Sequence, residues 1–227
     1  MNFDAQTLRI LDIIKDSFFP LLIAGVKFTI PLAVVSFILG SMVAMATALA
    51  RISKYKVLVS ISSFYVWIVR GTPLLVQLFI IFYGLPAAGI VIGAFPAAVI
   101  GFTLNVGAYN SEVIRAAILS IPKGQWESAS SIGMTHTQAL VRIILPQAAR
   151  VSVPPLSNSF ISLVKDTSLA ATITFAEMFQ IAQRITAATY EPLVLYCEVA
   201  FIYLLFCSIL CIIQQTTEKK LERYVAR

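Results

Sequence analysis

Charged side chains are scarce in this sequence. Of its 227 residues only 12% are Asp, Glu, Lys or Arg, whereas 59% are hydrophobic, and mean hydropathy is +0.87. A soluble domain of this length has too little interior to bury so much apolar side chain. The composition therefore predicts an all-α protein embedded in a membrane.

Residues that bind metals or carry out catalysis are also few. His136 is the only histidine, and the three cysteines all lie in the last long apolar run, at Cys197, Cys207 and Cys211. A thiol in such a run behaves as a small buried hydrophobe. No paired-histidine metal motif exists, and the serines have no partner base nearby in the sequence. We therefore predict no metal, no catalytic residue and no enzyme activity for this chain.

A phosphate-binding loop is missing as well. The pattern G-x-x-x-x-G-K-[ST] needs a Gly-Lys dipeptide, and the sequence contains none. The formal net charge of +6 could suggest nucleic acid, but the basic residues lie mostly at the ends of apolar runs, with no basic face interleaved with aromatics. We predict no nucleic-acid partner and attribute the charge to membrane topology.

Apolar runs of membrane-spanning length are abundant. We predict five spans, at about residues 20–50, 57–85, 96–119, 151–173 and 193–213. Residues 1–18 place Leu8, Leu11 and Ile14 on one helical face and predict an interfacial helix. Asp4 and Asp12 argue against a cleaved secretory signal there.

The second apolar run is too long for one straight helix. Residues 57–85 would extend about 43 Å as an α-helix, against a hydrocarbon core of about 30 Å. The tetrapeptide 70–73, Arg-Gly-Thr-Pro, predicts a break, with Thr72 as N-cap and Pro73 at the first position of a new helix. The second span would then have its core at 73–85.

Two groups of polar residues interrupt the predicted spans. Asn105, Tyr109, Glu112 and Arg115 form a stripe on the third span, which must face protein or water. Residues 165–168, Lys-Asp-Thr-Ser, interrupt the fourth span, which Pro154 and Pro155 would open; a helix break at Asp166 would expose a half-helix N-terminus. For both groups, a substrate path and simple local ion pairing remain open alternatives.

The basic residues also predict orientation. The loop 51–56, the segment 115–150 and the tail 217–227 carry most Lys and Arg and lie on the same side of the five predicted spans. By the positive-inside rule the N-terminus is outside and the C-terminus cytoplasmic.

Residues 125–146 form a polar island between two apolar runs, and residues 122–146 predict an elbow made of a helix, a glycine and a second helix. Pro122 suits the first turn, and Trp126, Ala129 and Gly133 recur at helical spacing before Gly133 ends the first helix. Thr135 and Gln138 have the spacing of a capping box that begins the second helix, which Pro146 would end. An amphipathic loop on the membrane surface is the alternative to a docking elbow.

This island resembles the loop by which permease subunits of ATP-binding-cassette importers contact their ATPases. The family pattern is E-A-A, three residues, G, nine residues, I-x-L-P. Glu127, Ala129, Gly133, Ile143, Leu145 and Pro146 match it, and only the middle alanine differs, as Ser128. Residues 70–86 and 159–170 resemble the polar amino-acid branch, and within it the cystine permeases.

The resemblance implies a type I importer permease with three parts: an interfacial helix (1–18), a transmembrane domain (19–216, including the elbow 122–146) and a basic cytoplasmic tail (217–227). The predicted ATPase-coupling residues are Trp126, Glu127, Ala129, Gly133, Met134, Thr135, Ile143, Leu145 and Pro146. The predicted substrate-path residues are Arg70, Gln77, Asn105, Tyr109, Glu112, Lys165, Asp166, Thr167 and Ser168.

The implied function is transport of a polar amino acid, L-cystine first, across the bacterial cell membrane. The implied partners are a cytoplasmic ATPase dimer that binds ATP and Mg, an extracytoplasmic solute-binding protein, a second permease copy in a homodimer, and membrane lipid. A self-contained secondary transporter or channel is the alternative. Five spans argue against it, because two matched inverted halves need equal numbers of helices.

Overall fold

The computed structural model describes residues 3–222, which are helical for most of their length and contain no strand. The α-helices are α1 (Phe3–Ala24), α2 (Ile30–Arg51), α3 (Lys56–Arg70), α4 (Leu74–Phe79), α5 (Ala94–Ser120), α6 (Lys123–Ser131), α7 (His136–Ala139), α8 (Leu145–Asp166), α9 (Met178–Thr189) and α10 (Pro192–Glu222). Widened π-helical turns occur at Gly25–Thr29, Ile80–Gly84 and Leu140–Ile144. Tighter 3₁₀ segments occur at Leu85–Ala88 and Thr167–Ile173.

The N-terminal helix is longer than the predicted first span. Helix α1 continues through the π-helical turn into α2, and the apolar stretch Gln6–Arg51 has 46 residues. At 1.5 Å per residue this is about 69 Å, more than twice the thickness of a hydrocarbon core. The helix has no break at residue 18, so the interfacial position of residues 1–18 stays a prediction.

The predicted break in the second apolar run is confirmed. Helix α3 ends at Arg70, the Gly71 N–H bonds to the Trp67 carbonyl at 2.9 Å, and Thr72 donates to the Ile68 carbonyl at 2.8 Å. The next helix begins at Leu74, one residue after the predicted Pro73. The missing N–H of proline and the steric restriction on the residue before it account for the break.

Pro146 does not end a helix, and Pro154 and Pro155 do not begin one, so both predictions were wrong. The helix that begins at His136 runs through a π-helical turn and Pro146 to Asp166, and Pro154 and Pro155 lie inside it. Immediately before Pro146, the Leu145 N–H bonds to the Leu140 carbonyl, five residues back. The wider turn gives the proline ring the space that a regular α-helical turn denies it.

Two helices of the described part are long and apolar enough to cross a membrane, Gln6–Arg51 and Pro192–Lys220. A third candidate is the bent pair Lys56–Arg70 and Leu74–Ala88, a broken span or a re-entrant loop. Helix α5 coincides with the third predicted span, and α8 overlaps most of the fourth, but both carry the polar residues described above. Five spans therefore remain a prediction.

The chain divides into two compact units. The first comprises Met1–Ser36, Leu75–Gly101 and Ile161–Ile212, and the second Phe37–Leu74, Phe102–Phe160 and Ile213–Arg227. A core in the first unit is built from α1, α9 and α10, including Leu21, Met178 and Ile202. A core in the second is built from α2, α5 and the start of α8, including Ala48, Ile118 and Ile144.

Candidate functional sites: the coupling elbow and the arginine cluster

The first helix of the elbow, α6, ends at a left-handed glycine. Gly133 has φ +80°, its N–H bonds to the Ser130 carbonyl at 3.0 Å, and the Met134 N–H bonds to the Ala129 carbonyl at 3.1 Å. These two bonds and the positive φ form a Schellman motif, which satisfies the last carbonyls of the helix. The predicted role of Gly133 as the helix end is confirmed. Pro122 precedes the first helical residue as the N-cap.

The second helix of the elbow begins with the predicted capping box. The Thr135 N–H donates to Gln138 Oε1 at 2.9 Å, and the Gln138 N–H donates to Thr135 Oγ1 at 3.3 Å. Two backbone donors that a helix start leaves free are thereby satisfied. Only Met134 separates the two motifs, so the turn between the helices is closely specified by local hydrogen bonds.

Side chains also join the two helices of the elbow. The rings of Trp126 and His136 stack with centroids 4.7 Å apart and planes 15° from parallel. Gln147 Nε2 donates to Gln125 Oε1 at 3.2 Å. No role was predicted for His136, and this ring stacking was missed because residues ten apart on different helices give no periodic signal.

The elbow packs by one face on the core of the second unit and exposes the other. Ala129 is fully buried, and Trp126, Ile143 and Leu145 pack against the core cluster that contains Ile144. Four of the predicted coupling residues lie on the exposed face: Glu127, Gly133, Thr135 and Pro146. Ile132 lies there as well, with 73% of its surface exposed. Ile132 was not among the predicted coupling residues, although an apolar side chain beside Gly133 is the kind of residue that docks into a groove.

Three arginines surround one carboxylate in the second unit, and we call Arg51, Arg70, Arg115 and Glu112 the arginine cluster. Arg115 donates to Glu112 Oε2 from Nη2 at 2.9 Å and from Nε at 3.1 Å. Arg51 pairs with Glu112 Oε1, and Arg70 Nη1 lies 3.8 Å from the same oxygen. The cluster therefore has two more positive than negative charges.

The ion pairing of Glu112 is wider than the sequence suggested. The Glu112–Arg115 ion pair exists, but Glu112 also pairs with two arginines from helices α2 and α3. Arg70 additionally lies 5.2 Å from the centroid of the Tyr109 ring, a cation–π distance. Sequence reasoning assigned Arg51 only to topology, because its partner is 61 residues away.

The other predicted path residues are distributed over both units. Asn105 is half-buried on α5, two turns before Glu112, and Gln77 is half-buried on α4 in the first unit. The segment 165–168 also belongs to the first unit, where the Thr167 hydroxyl is buried and donates to the Val164 carbonyl at 2.7 Å.

The predicted helix break at Asp166 is only partly confirmed. Helix α8 ends at Asp166, but the chain continues directly as a 3₁₀ helix, and the Asp166 side chain makes no capping hydrogen bond. Ser168 donates to the Lys165 carbonyl at 2.8 Å. Both hydroxyls of this segment thus bond to preceding backbone carbonyls, as hydroxyls within a helix commonly do.

Two buried glutamates in the first unit were not among the predicted site residues. Glu177 accepts the Gln180 N–H at 2.7 Å as the cap of α9, and also accepts from Tyr203 at 3.1 Å and Thr29 at 3.5 Å. Glu198 accepts a hydrogen bond from Ser17 at 2.5 Å. Their hydrogen-bond partners come from distant helices, so only the fold reveals these networks.

Within the described range, no three His, Cys, Asp or Glu side chains are placed to hold a metal ion. The elbow offers a bent, partly apolar surface for docking, and the arginine cluster offers a half-buried group of positive charges. Neither arrangement contains a nucleophile paired with a base. The chemistry they support is recognition of a partner and of an anionic group.

Residues 36–223 match the family described as the inner membrane component of binding-protein-dependent transport systems, and the chain belongs to that family. It is thus a permease subunit of an ATP-binding-cassette importer and not an enzyme, and the self-contained transporter is rejected as an alternative. The chain is 57% identical over 217 residues to the L-cystine transport system permease protein TcyB of Bacillus subtilis, covering 95% of this chain and 93% of TcyB.

Two further comparisons agree. The chain is 42% identical to the probable amino-acid ABC transporter permease protein YckA of Bacillus subtilis, over 91% of this chain and 92% of that protein. A crystal structure of an amino acid ABC transporter with histidines superposes with a TM-score of 0.87 and 34% identity, covering 93% of this chain and 98% of that one. The predicted type I importer permease fold is confirmed.

Proposed function

We propose that this chain forms the membrane passage for a polar amino acid, and that the substrate is L-cystine. The observation that carries the proposal is the 57% identity to a cystine permease over 95% of the chain. The localisation that follows is a bacterial cell membrane, crossed several times, with the N-terminus outside and the C-terminus in the cytoplasm.

We further propose the partners. A cytoplasmic ATPase dimer supplies ATP and Mg, a solute-binding protein delivers the amino acid from outside, and a second copy of this chain completes the passage. The elbow is the proposed ATPase contact, because its two helices are fixed by the Schellman motif and the capping box while its outer face is exposed.

Reconstitution tests this function. The permease is placed in proteoliposomes with the ATPase and binding protein from its own organism, and ATP hydrolysis is measured with each of the common amino acids. We expect L-cystine to stimulate hydrolysis most and to accumulate inside the liposomes. Stimulation by another amino acid with none by cystine would contradict the substrate assignment, whereas failure of any ATPase to associate would contradict the importer assembly.

The arginine cluster suggests which groups of the substrate the path residues would bind. Glu112 is a poor partner for a substrate ammonium group, because Arg51, Arg70 and Arg115 already neutralise its charge. The excess positive charge suits a substrate carboxylate, and Arg70 is the most exposed arginine of the three, with 44% of its side chain accessible. Asp166, the other carboxylate among the predicted path residues, is the proposed partner for an ammonium group.

The role of Arg70 can be tested by binding. Radiolabelled L-cystine is titrated against the purified permease–ATPase complex without binding protein, with unlabelled cystamine, which lacks the carboxylates, as a competitor. Loss of one charge-assisted hydrogen bond of about 1.5–3 kcal/mol predicts roughly 10- to 100-fold weaker cystine binding in Arg70→Gln. The affinity for cystamine should be the same in Arg70→Gln as in wild type, because cystamine has no carboxylate for this arginine to bind.

The matched control is Arg115→Gln, which removes a more enclosed arginine from the same carboxylate. We expect Arg70→Gln to reduce cystine affinity more than this control does. Equal losses in both variants would indicate that the cluster acts only as a structural network. Unchanged affinity in both would remove the cluster from the substrate path.

A further inference from the structure

A long apolar groove lies between helices α2 and α3 in the second unit. Its volume is about 400 Å³. Val43, Thr47 and Ala50 line one wall, and Leu58 and Tyr65 line the other. Each wall extends over eight residues of helix, or seven steps of about 1.5 Å, so the groove is about 10 Å long.

The groove has mainly apolar walls, and the hydroxyls of Tyr65 and Ser62 bond to backbone carbonyls. The Tyr65 hydroxyl donates to the Leu104 carbonyl at 2.6 Å, and the Ser62 hydroxyl donates to the Leu58 carbonyl at 2.5 Å. An extended hydrocarbon can therefore fill the groove without leaving these hydroxyls unsatisfied. A polar ligand would find few free hydrogen-bond partners there.

One end of the groove is positively charged. Ala50 and Leu58 mark the end at which a short connection joins α2 to α3. Lys54 lies in this connection, and Lys56 is the first residue of α3. Both lysines are exposed and have no ion pair within the described part of the chain. Arg51, at the same end, is already paired with Glu112.

An occupant must therefore combine a hydrocarbon chain with an anionic head. We propose that this groove binds an acyl chain of an anionic phospholipid whose phosphate lies at Lys54 and Lys56. Lysines at the ends of membrane helices attract anionic lipid headgroups electrostatically, and basic pockets between such helices bind them. A neutral lipid would fill the apolar part but leave the charged end without a partner.

The proposal is tested by native mass spectrometry of the full-length permease. Purified protein is supplied with equal amounts of phosphatidylglycerol and phosphatidylcholine in detergent, and retained lipid is counted. We expect wild type to retain phosphatidylglycerol with a preference of about ten-fold. The double variant Lys54→Gln, Lys56→Gln should lose that preference, whereas Lys219→Gln, Lys220→Gln should keep it.

A second variant separates groove binding from general charge attraction. Ala46→Phe fills the groove from its α2 wall, whereas Ala200→Phe makes the same change on an exposed part of α10. We expect the first to lose the retained lipid and the second to keep it. Lipid retention unaffected by Ala46→Phe would overturn the proposal.

The competing occupant is a second copy of the permease. In a background without native cysteines, Ile61→Cys places a thiol on the groove wall, and oxidation in native membranes tests whether two copies meet there. We expect monomeric permease after oxidation, because lipid covers the thiol. Efficient formation of a cross-linked dimer would show that protein covers the groove and would refute the lipid site.

Discussion

At the scale of single residues, Gly133 controls the bend of the elbow through its backbone conformation. Its φ is +80°, and a Cβ built on it would meet nothing within 4 Å. A side chain therefore causes strain of about 1 kcal/mol or more without a clash inside the chain. We predict that Gly133→Val reaches the membrane at near-normal levels but stimulates less ATP hydrolysis in the reconstituted complex.

Two substitutions control for that result. Gly133→Asn should retain most coupling, because asparagine tolerates positive φ. Gly124→Ala lies in α6, also has open space around its Cβ, and should be neutral or slightly stabilising. If Gly133→Val transports at the wild-type rate, the elbow is not the docking site.

Glu177 offers a prediction about pH at the same scale. It lies outside the predicted spans, and burial raises the pKa of its carboxyl, although the N–H donors of α9 and the hydroxyls of Tyr203 and Thr29 oppose this shift. The folded state therefore binds a proton more tightly than the unfolded state, and its stability should fall as pH rises above the ordinary glutamate pKa toward the raised value.

Thermal unfolding of the purified permease measures this effect. We expect the melting temperature of wild type to decline across that pH window relative to Glu177→Gln, which keeps an acceptor for the Gln180 N–H and removes the charge. Glu177→Ala should be less stable at every pH, by about 1–3 kcal/mol, since it leaves buried donors unsatisfied. Identical pH profiles for wild type and Glu177→Gln would show that the carboxyl does not titrate differently on folding.

At the scale of elements, the second helix of the elbow depends on its capping box. Thr135→Ala removes the acceptor for the Gln138 N–H, and loss of such a cap typically costs about 1 kcal/mol. We predict weaker attachment of the ATPase, measured by co-purification, with Thr135→Ser as the matched control that keeps the hydroxyl. Equal ATPase recovery with Thr135→Ala and Thr135→Ser would mean that the cap does not support docking.

The elbow also shows which elements local sequence can specify. Gly133, Thr135 and Gln138 were predicted correctly because a Schellman motif and a capping box use hydrogen bonds between residues a few positions apart. Pro146 was predicted wrongly as a helix end. The π-helical turn before it has no strong sequence signature, and it is this turn that admits the proline.

At the scale of the whole molecule, orientation in the membrane is the main prediction. In a background without the native cysteines, Ala88→Cys should react with a membrane-impermeant thiol reagent from outside, and Thr137→Cys should not. Both positions are exposed in the structure, so absence of reaction reports sidedness and not burial within the chain. External labelling at residue 137 would contradict the positive-inside orientation, and labelling of opened membranes provides the control for reactivity.

Composition and local motifs were sufficient to predict the membrane class, the family, the helix–glycine–helix elbow and the break after Arg70. Each depends on composition or on residues close together in the chain, where periodicity, caps and glycine or proline act locally. The tertiary structure alone decided that Glu112 meets Arg51 and Arg70, that Glu177 joins Tyr203 and Thr29, and that α2 and α3 leave a groove beside Lys54 and Lys56. These features bring together residues from different helices, and no local pattern encodes how those helices pack.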